Sequence, residues 1–287
     1  MKINHTTPEA HEYTSPLNYI DQPPKTLHYL GILPSSRQPS VAIVGTRKPT
    51  SYGREVASRF ARELAQAGVV IVSGLALGID ATAHRACLDS GGTTIAVLGN
   101  GLHRLYPVAN RALGERIIHE GGAVISEYPE GTEPYPSNFL QRNRLVSGLA
   151  DAVVIIEAAS RSGTLNTAMH ALAQGRDIFA VPGNITSPLS AGCNHLLRQG
   201  AAPATSAADI LEAIMPPAPA QATQAALPLG STPLETAIIN LIASGIRQGD
   251  ELQKASGASA SEFTSALTML EINGSIVGLG ANQWRLK

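Results

Sequence analysis

Four runs of this chain gather the residue types that hold phosphate groups. The first is Gly45-Thr46-Arg47-Lys48-Pro49-Thr50-Ser51-Tyr52-Gly53. Glycine lets the backbone turn, hydroxyls and a coming helix N-terminus offer donors, and Arg47 and Lys48 add charge, a set that suits an anion. Its glycines stand eight apart, so the run is neither GxGxxG nor GxxxxGK[ST]. The plainer alternative is a solvated turn with incidental charges. The second run is Ser73-Gly74-Leu75-Ala76-Leu77-Gly78-Ile79-Asp80. A dinucleotide-binding fold places an acid at the end of its second strand for the ribose hydroxyl, but Ser73 and Gly74 stand there, which argues against a dehydrogenase. Asp80 reads first as a helix-opening acid, and His84, one turn later, as structural.

The third run, Phe139-Leu140-Gln141-Arg142-Asn143-Arg144, sets two arginines around an asparagine beside an aromatic ring. Its functional reading is a phosphate clamp with a base-stacking platform, which contributes about 1–3 kcal/mol per stacked base without sequence readout. Its alternative is an exposed helix face with Phe139 in the core. The fourth extends from Glu157 to Ala168 and surrounds a helix start with Arg161, Ser162, Gly163, Thr164 and Thr167, again an anion-binding composition. Capping by Ser162 accounts for part of it. No GxSxG and no evident nucleophile–base pair accompanies these runs, so no catalytic residue is assigned. Asp80, His84 and Glu157 could still meet at the strand ends, which keeps a nucleotide or nucleoside hydrolase as the alternative function and a protein-binding adaptor as a third. There is no CxxC or HxxxH spacing, so no metal is expected. Two cysteines make no disulfide framework, and the cytoplasm is the expected compartment.

The elements that must position these runs alternate. Short apolar segments at 41–45, 69–72, 94–98, 123–125, 152–156 and 178–181 read as buried parallel strands. Helical spacing fills 53–67, 79–90, 109–120, 138–149 and 163–174, with further helices near 191–199 and 207–214. Strand–helix alternation with short loops predicts an α/β domain, a Rossmann-like parallel sheet with helices on both faces, over 41–214. Residues 1–40 read as an irregular N-terminal extension and the charge-free, Pro-rich 215–233 as a linker. Residues 234–287 read as three helices and a hairpin, a winged-helix pattern with a Ser259–Glu262 capping box. No segment is long and apolar enough to span a membrane, and no signal pattern opens the chain.

The net charge is -1, and no segment is basic overall: 41–214 carries 14 Lys+Arg against 14 Asp+Glu, and 231–287 carries 4 against 5. Any phosphate site must therefore be local. Thirteen of those 14 cations are arginine, whose planar fork grips phosphate oxygens in pairs.

Taken in order, several motifs resemble the DprA family, DNA-processing protein A, also called Smf. They are Val44-Gly45-Thr46-Arg47, Ser73-Gly74-Leu75-Ala76, Gly78-Ile79-Asp80, Ala83-His84, Tyr106-Pro107 and Ser126-Glu127-Tyr128-Pro129. Phe139 with Arg142-Asn143-Arg144, Ser162-Gly163-Thr164-Leu165, Thr167-Ala168, Val181-Pro182-Gly183-Asn184 and Gly200-Ala201 complete the set. The resemblance covers roughly 41–214 and more weakly the rest. It implies a non-enzymatic, cofactor-free dimer that binds and protects incoming single-stranded DNA in natural transformation and loads the RecA recombinase. The expected DNA-binding residues are Gly45, Thr46, Arg47, Lys48, Phe139, Arg142, Asn143, Arg144, Ser162, Gly163, Thr164 and Thr167. Met169 stands where the family usually has arginine, and Ser137 and Asn138 where it often has a basic residue; both departures predict weaker binding. Forty residues are too few for the complete helical domain that some relatives carry ahead of the sheet. The charge balance of 234–287 argues against strong duplex binding by the winged helix.

Overall fold

The computed structural model describes residues 2–215 and 230–286. It forms two compact units, Met1–Pro216 and Pro217–Lys287. Most of the expected linker at 215–233 lies outside the described residues.

The N-terminal segment departs from expectation. Residues 1–40 are built into the first unit through β1 (Asn4–Thr6), a 3-10 helix (Glu12–Tyr19) and β2 (Leu27–Gly31). β2 adds antiparallel to the sheet edge, pairing Tyr29 with Ile125. Tyr13 and Leu17 of the 3-10 helix are fully buried and belong to the core cluster on one face of the sheet. Arg37 binds Asp151 at 2.5 Å, and Asp151 also accepts from the Ser40 amide at 2.8 Å. The segment lacks a long period because its order comes from these distant partners.

The parallel strands are β3 (Ser40–Val44), β4 (Val70–Ser73), β5 (Thr94–Leu98), β6 (Ala123–Ser126), β7 (Ala152–Ile155), β8 (Asp177–Ala180) and β9 (Ala202–Pro203). The sheet order is β1-β2-β6-β5-β4-β3-β7-β8-β9. From β3 the chain builds outward to β6, then returns to place β7 on the other side of β3. Strand order therefore reverses between β3 and β7.

The central strands β3 to β7 are buried on both faces because helices cover both. Val41 and Ile43 face a cluster with Val56, Phe60 and Leu64 of α1 (Ser51–Gln66) and Ala83 of α2 (Ile79–Asp89). α3 (Arg111–His119) covers the β5–β6 side through Leu113 and Ile117. Ala42 and Val44 face the opposite cluster, with Leu145 and Leu149 of α4 (Pro136–Leu149) and Ala168 and Ala171 of α5 (Gly163–Ala173). α6 (Ala191–Arg198) and α7 (Ala207–Ile214) complete the unit. α1 stops at Gly68, whose φ of 82° suits a residue without a Cβ.

The second unit comprises α8 (Pro233–Ala243), α9 (Gly249–Ser256), α10 (Ala260–Ile272) and a hairpin of β10 (Ile276–Gly280) and β11 (Gln283–Leu286). Ile238, Leu252, Phe263, Leu270 and Ile276 form its core. Ser259 and Glu262 make the expected reciprocal cap of α10.

Leu17→Ala tests the role of the N-terminal segment. It is expected to cost about 2–5 kcal/mol in urea unfolding, the range for truncating a buried leucine. A variant as stable as the parent would show that the 3-10 helix does not complete this core.

Candidate nucleic-acid interface

A cleft of about 530 Å³ opens at the carboxyl ends of the strands, where the order reverses. The β3–α1 loop gives Gly45, Thr46, Arg47 and Lys48; α4 gives Phe139, Leu140, Arg142 and Asn143; the loop into α5 gives Arg161 and Ser162, and the first turns of α5 give Gly163, Thr164 and Thr167. Arg47, Lys48 and Arg161 are exposed. The structure thus brings together every expected site residue except Arg144.

Arg142 has a different situation from its neighbours. It is 4% exposed, and its Nη1 donates to the carbonyls of Gly74, at 2.8 Å, and of Val97. Gly74 makes room: a Cβ there would lie 2.6 Å from that nitrogen. Burial lowers the guanidinium to about 10, and Asp80 opposes the shift. Asp80 accepts from the amides of Gly74 at 3.0 Å and Ala76 at 3.4 Å. Burial pushes its carboxyl up from the ordinary carboxylate range, against the pull of Arg142 and the two amides. Arg142 therefore fixes the β4–α2 loop as well as lining the cleft.

Phe139 lies among cations. The guanidinium carbons of Arg47 and Arg142 lie 5.9 and 6.0 Å from its ring centroid, within cation–π range. Tyr106 stacks on it at 5.7 Å and 26°. Asn143 donates to the Gly163 carbonyl at 3.4 Å and to Asn166 Oδ1 at 3.2 Å, tying α4 to the first turn of α5. Ser162 Oγ accepts from the Thr164 amide at 3.1 Å, the expected cap.

Arg144 corrects the sequence reading. It points away from the cleft and grips Glu127 with a double fork, Nη1–Oε1 and Nη2–Oε2 both at 2.6 Å. Residues two apart on an α-helix project about 200° around the axis. Arg142 and Arg144 therefore leave α4 on opposite sides, one toward the cleft and one toward Glu127.

The β3–α1 loop brings a second correction. The N-terminus of α1, expected to be open to an anion, holds Glu157. Thr50 donates its amide to Oε2 at 2.9 Å and its hydroxyl to Oε1 at 2.5 Å. Nor do Asp80, His84 and Glu157 converge: each is bound to a different partner. His84 is fully buried beside Thr94, whose hydroxyl donates to the Ile71 carbonyl at 2.6 Å and so accepts from His84 Nδ1 at 2.7 Å. Burial pushes the imidazole down to about 3.

Sequence reasoning left Arg161 out of the site although its charge beside a helix start was visible. It had no local signal for Leu140 as a wall of the cleft, or for Tyr106 as the ring behind Phe139.

His84 gives a pH dependence whose sign is fixed. Unfolded, it gains a proton near 6.5; folded, it stays neutral down to about 3. The unfolded state then holds more protons across that window, so its contribution is full above 6.5 and is lost as pH falls. The slope is up to about 1.4 kcal/mol per pH unit. Urea unfolding of the parent and His84→Asn from pH 7 to 4 is expected to show a shallower slope in the variant; equal slopes would contradict a buried neutral His84.

Residues 4–215 match the family described as DNA recombination-mediator protein A, and residues 215–282 match the DprA winged helix domain. Protein Smf of Synechocystis is 44% identical over 199 residues, 68% of this chain and 50% of that protein. The chain spans about half the length of this and other curated relatives that it matches. The X-ray structure of DNA processing protein A from Streptococcus pneumoniae is similar at TM-score 0.67 and 38% identity, covering 75% of each chain. A structure of DNA processing protein A from Helicobacter pylori, described for its single-stranded DNA binding mode, has TM-score 0.64 and 33% identity, covering 73% of this chain and 94% of that one.

Proposed function

The chain belongs to the family described as DNA recombination-mediator protein A, and from that premise we propose that it binds single-stranded DNA in the cleft at the β3–β7 reversal. The observation that carries this reading is the grouping of Arg47, Lys48, Arg161 and the Phe139 ring around the open first turn of α5. Cations and backbone donors take phosphates, and an aromatic ring takes a base face without regard to its identity. The Helicobacter pylori relative, described as binding single-stranded DNA, supports the same reading.

The site as proposed comprises Gly45, Thr46, Arg47, Lys48, Phe139, Arg142, Asn143, Ser162, Gly163, Thr164 and Thr167, with Arg161 added and Arg144 reassigned to packing. On the family resemblance we also propose a homodimer, without enzymatic activity, that protects incoming DNA in natural transformation and hands it to RecA in the cytoplasm. No described helix is long and apolar enough to cross a membrane. We propose residues 234–287 as a separate module beyond a linker at 215–233. α10 carries no lysine or arginine, which favours a role other than reading a duplex.

Gel-shift titration with single-stranded and duplex oligonucleotides across salt tests the main reading. Log affinity for the single strand is expected to fall with log salt by about 0.7 per neutralised phosphate. Equal affinity for both forms, or no binding at low salt, would sink it; release of base from a nucleotide panel would favour hydrolysis instead.

Arg47→Ala and Arg144→Ala are expected to separate. The first should weaken binding and shallow the slope by about 0.7, one phosphate contact. The second should leave the slope alone and cost about 3–5 kcal/mol of stability by stranding Glu127. Phe139→Ala is expected to lose about 1–3 kcal/mol of binding by titration calorimetry. Unchanged affinity would remove the ring from the site.

A further inference from the structure

In open α/β sheets the turn after the first strand, with its helix N-terminus, is where nucleotide pyrophosphates bind. In this chain that place is filled from within. Glu157 follows β7, the neighbour of β3, and is 3% exposed. Its carboxylate takes the Thr50 amide at 2.9 Å and the Thr50 hydroxyl at 2.5 Å, donors at the N-terminus of α1. Its backbone carbonyl accepts from Thr46 at 2.8 Å, so one residue closes the loop from both ends. Gly53 is shaped to this guest, since a Cβ there would collide with Glu157 Oε2. Among the described residues no lysine or arginine pairs with Glu157. Its formal charge is met by the helix dipole and its donors, which is how a bound phosphate is met.

We infer that Glu157 is a specificity-determining residue: its carboxylate occupies the phosphate position of the β3–α1 turn and closes it to nucleotides and other phosphorylated small molecules. The turn at α5 differs. Gly163 is exposed and Arg161 stands beside it, and Asp80 is the acid among the cleft-lining residues. Phosphate capture by helix N-terminal amides is thereby confined to the α5 turn, while Arg47 and Lys48 still offer side-chain charge to the cleft. A ligand that needs both helix N-termini at once, such as a dinucleotide, is refused. Glu157 would do this whether or not DNA is the ligand of the cleft.

The test follows amide resonances of the isotope-labelled full chain during titration with inorganic pyrophosphate and with ADP. In the parent, the amides of Thr50, Ser51 and Tyr52 are expected to stay in place at concentrations that move Gly163 and Thr164. In Glu157→Ala the vacated position should admit the anion. The Thr50–Tyr52 amides should then shift, with saturable thermal stabilisation and pyrophosphate affinity raised about tenfold. Glu157→Gln keeps the position filled and should gain little. Movement of the Thr50–Tyr52 amides in the parent, or a folded Glu157→Ala that gains no pyrophosphate response there, overturns the assignment. The parent measurement decides even if Glu157→Ala does not fold. Because the Gly163 and Thr164 amides report on the α5 turn separately, failure of the DNA-binding reading shows in a different set of signals.

Discussion

A parallel sheet obliges each connection to cross one of its faces, and where strand order reverses, adjacent strands send their following helices to opposite faces. Here β3 leads into α1 on one face and β7 leads toward α5 on the other. The two loops depart from each other at the carboxyl edge, and the cleft opens beside them. The side chains of the candidate site are there because they lie on one of those loops, on the first turns of α5, or on α4, the helix that returns the chain to β7.

The loops that border the cleft are held by buried polar groups, each bound to a partner. Arg142 holds the carbonyls of Gly74 and Val97, Asp80 holds the amides of the same β4–α2 loop, and Glu157 holds Thr50. A buried polar group that loses its partner costs about 1–3 kcal/mol, so these contacts resist rearrangement. They fix the backbone from which exposed Arg47, Lys48 and Arg161 project. A chain of net charge -1 can in this way present a concentrated cationic groove while the rest of its surface stays balanced.

The same accounting separates three arginines that look alike in sequence. Arg47 is free to meet a ligand, Arg142 is shared between packing and the cleft, and Arg144 is consumed by Glu127. Composition made arginine the natural phosphate grip in this domain, but availability depends on what else each guanidinium touches. The N-terminal segment shows the reverse: polar and Pro-rich, it nonetheless supplies Tyr13 and Leu17 to the core, because α4 and the sheet leave an apolar surface for them to cover.

Much of the architecture was legible in the sequence because its signals are local. Continuous apolar runs specify strands covered on both faces, glycines mark helix ends, and Ser162 and Ser259–Glu262 cap their own helices through donors within three residues. The loops that meet at the cleft could also be read, since they follow strands. What only the tertiary structure decided is which distant partner each side chain finds. Sheet order brought Glu157 to the N-terminus of α1, placed β2 beside β6, set Tyr106 against Phe139, and turned Arg144 toward Glu127. Periodicity along a chain encodes which face a residue lies on. It does not encode what stands opposite that face, and for charged groups the neighbour decides whether they bind a ligand or the protein itself.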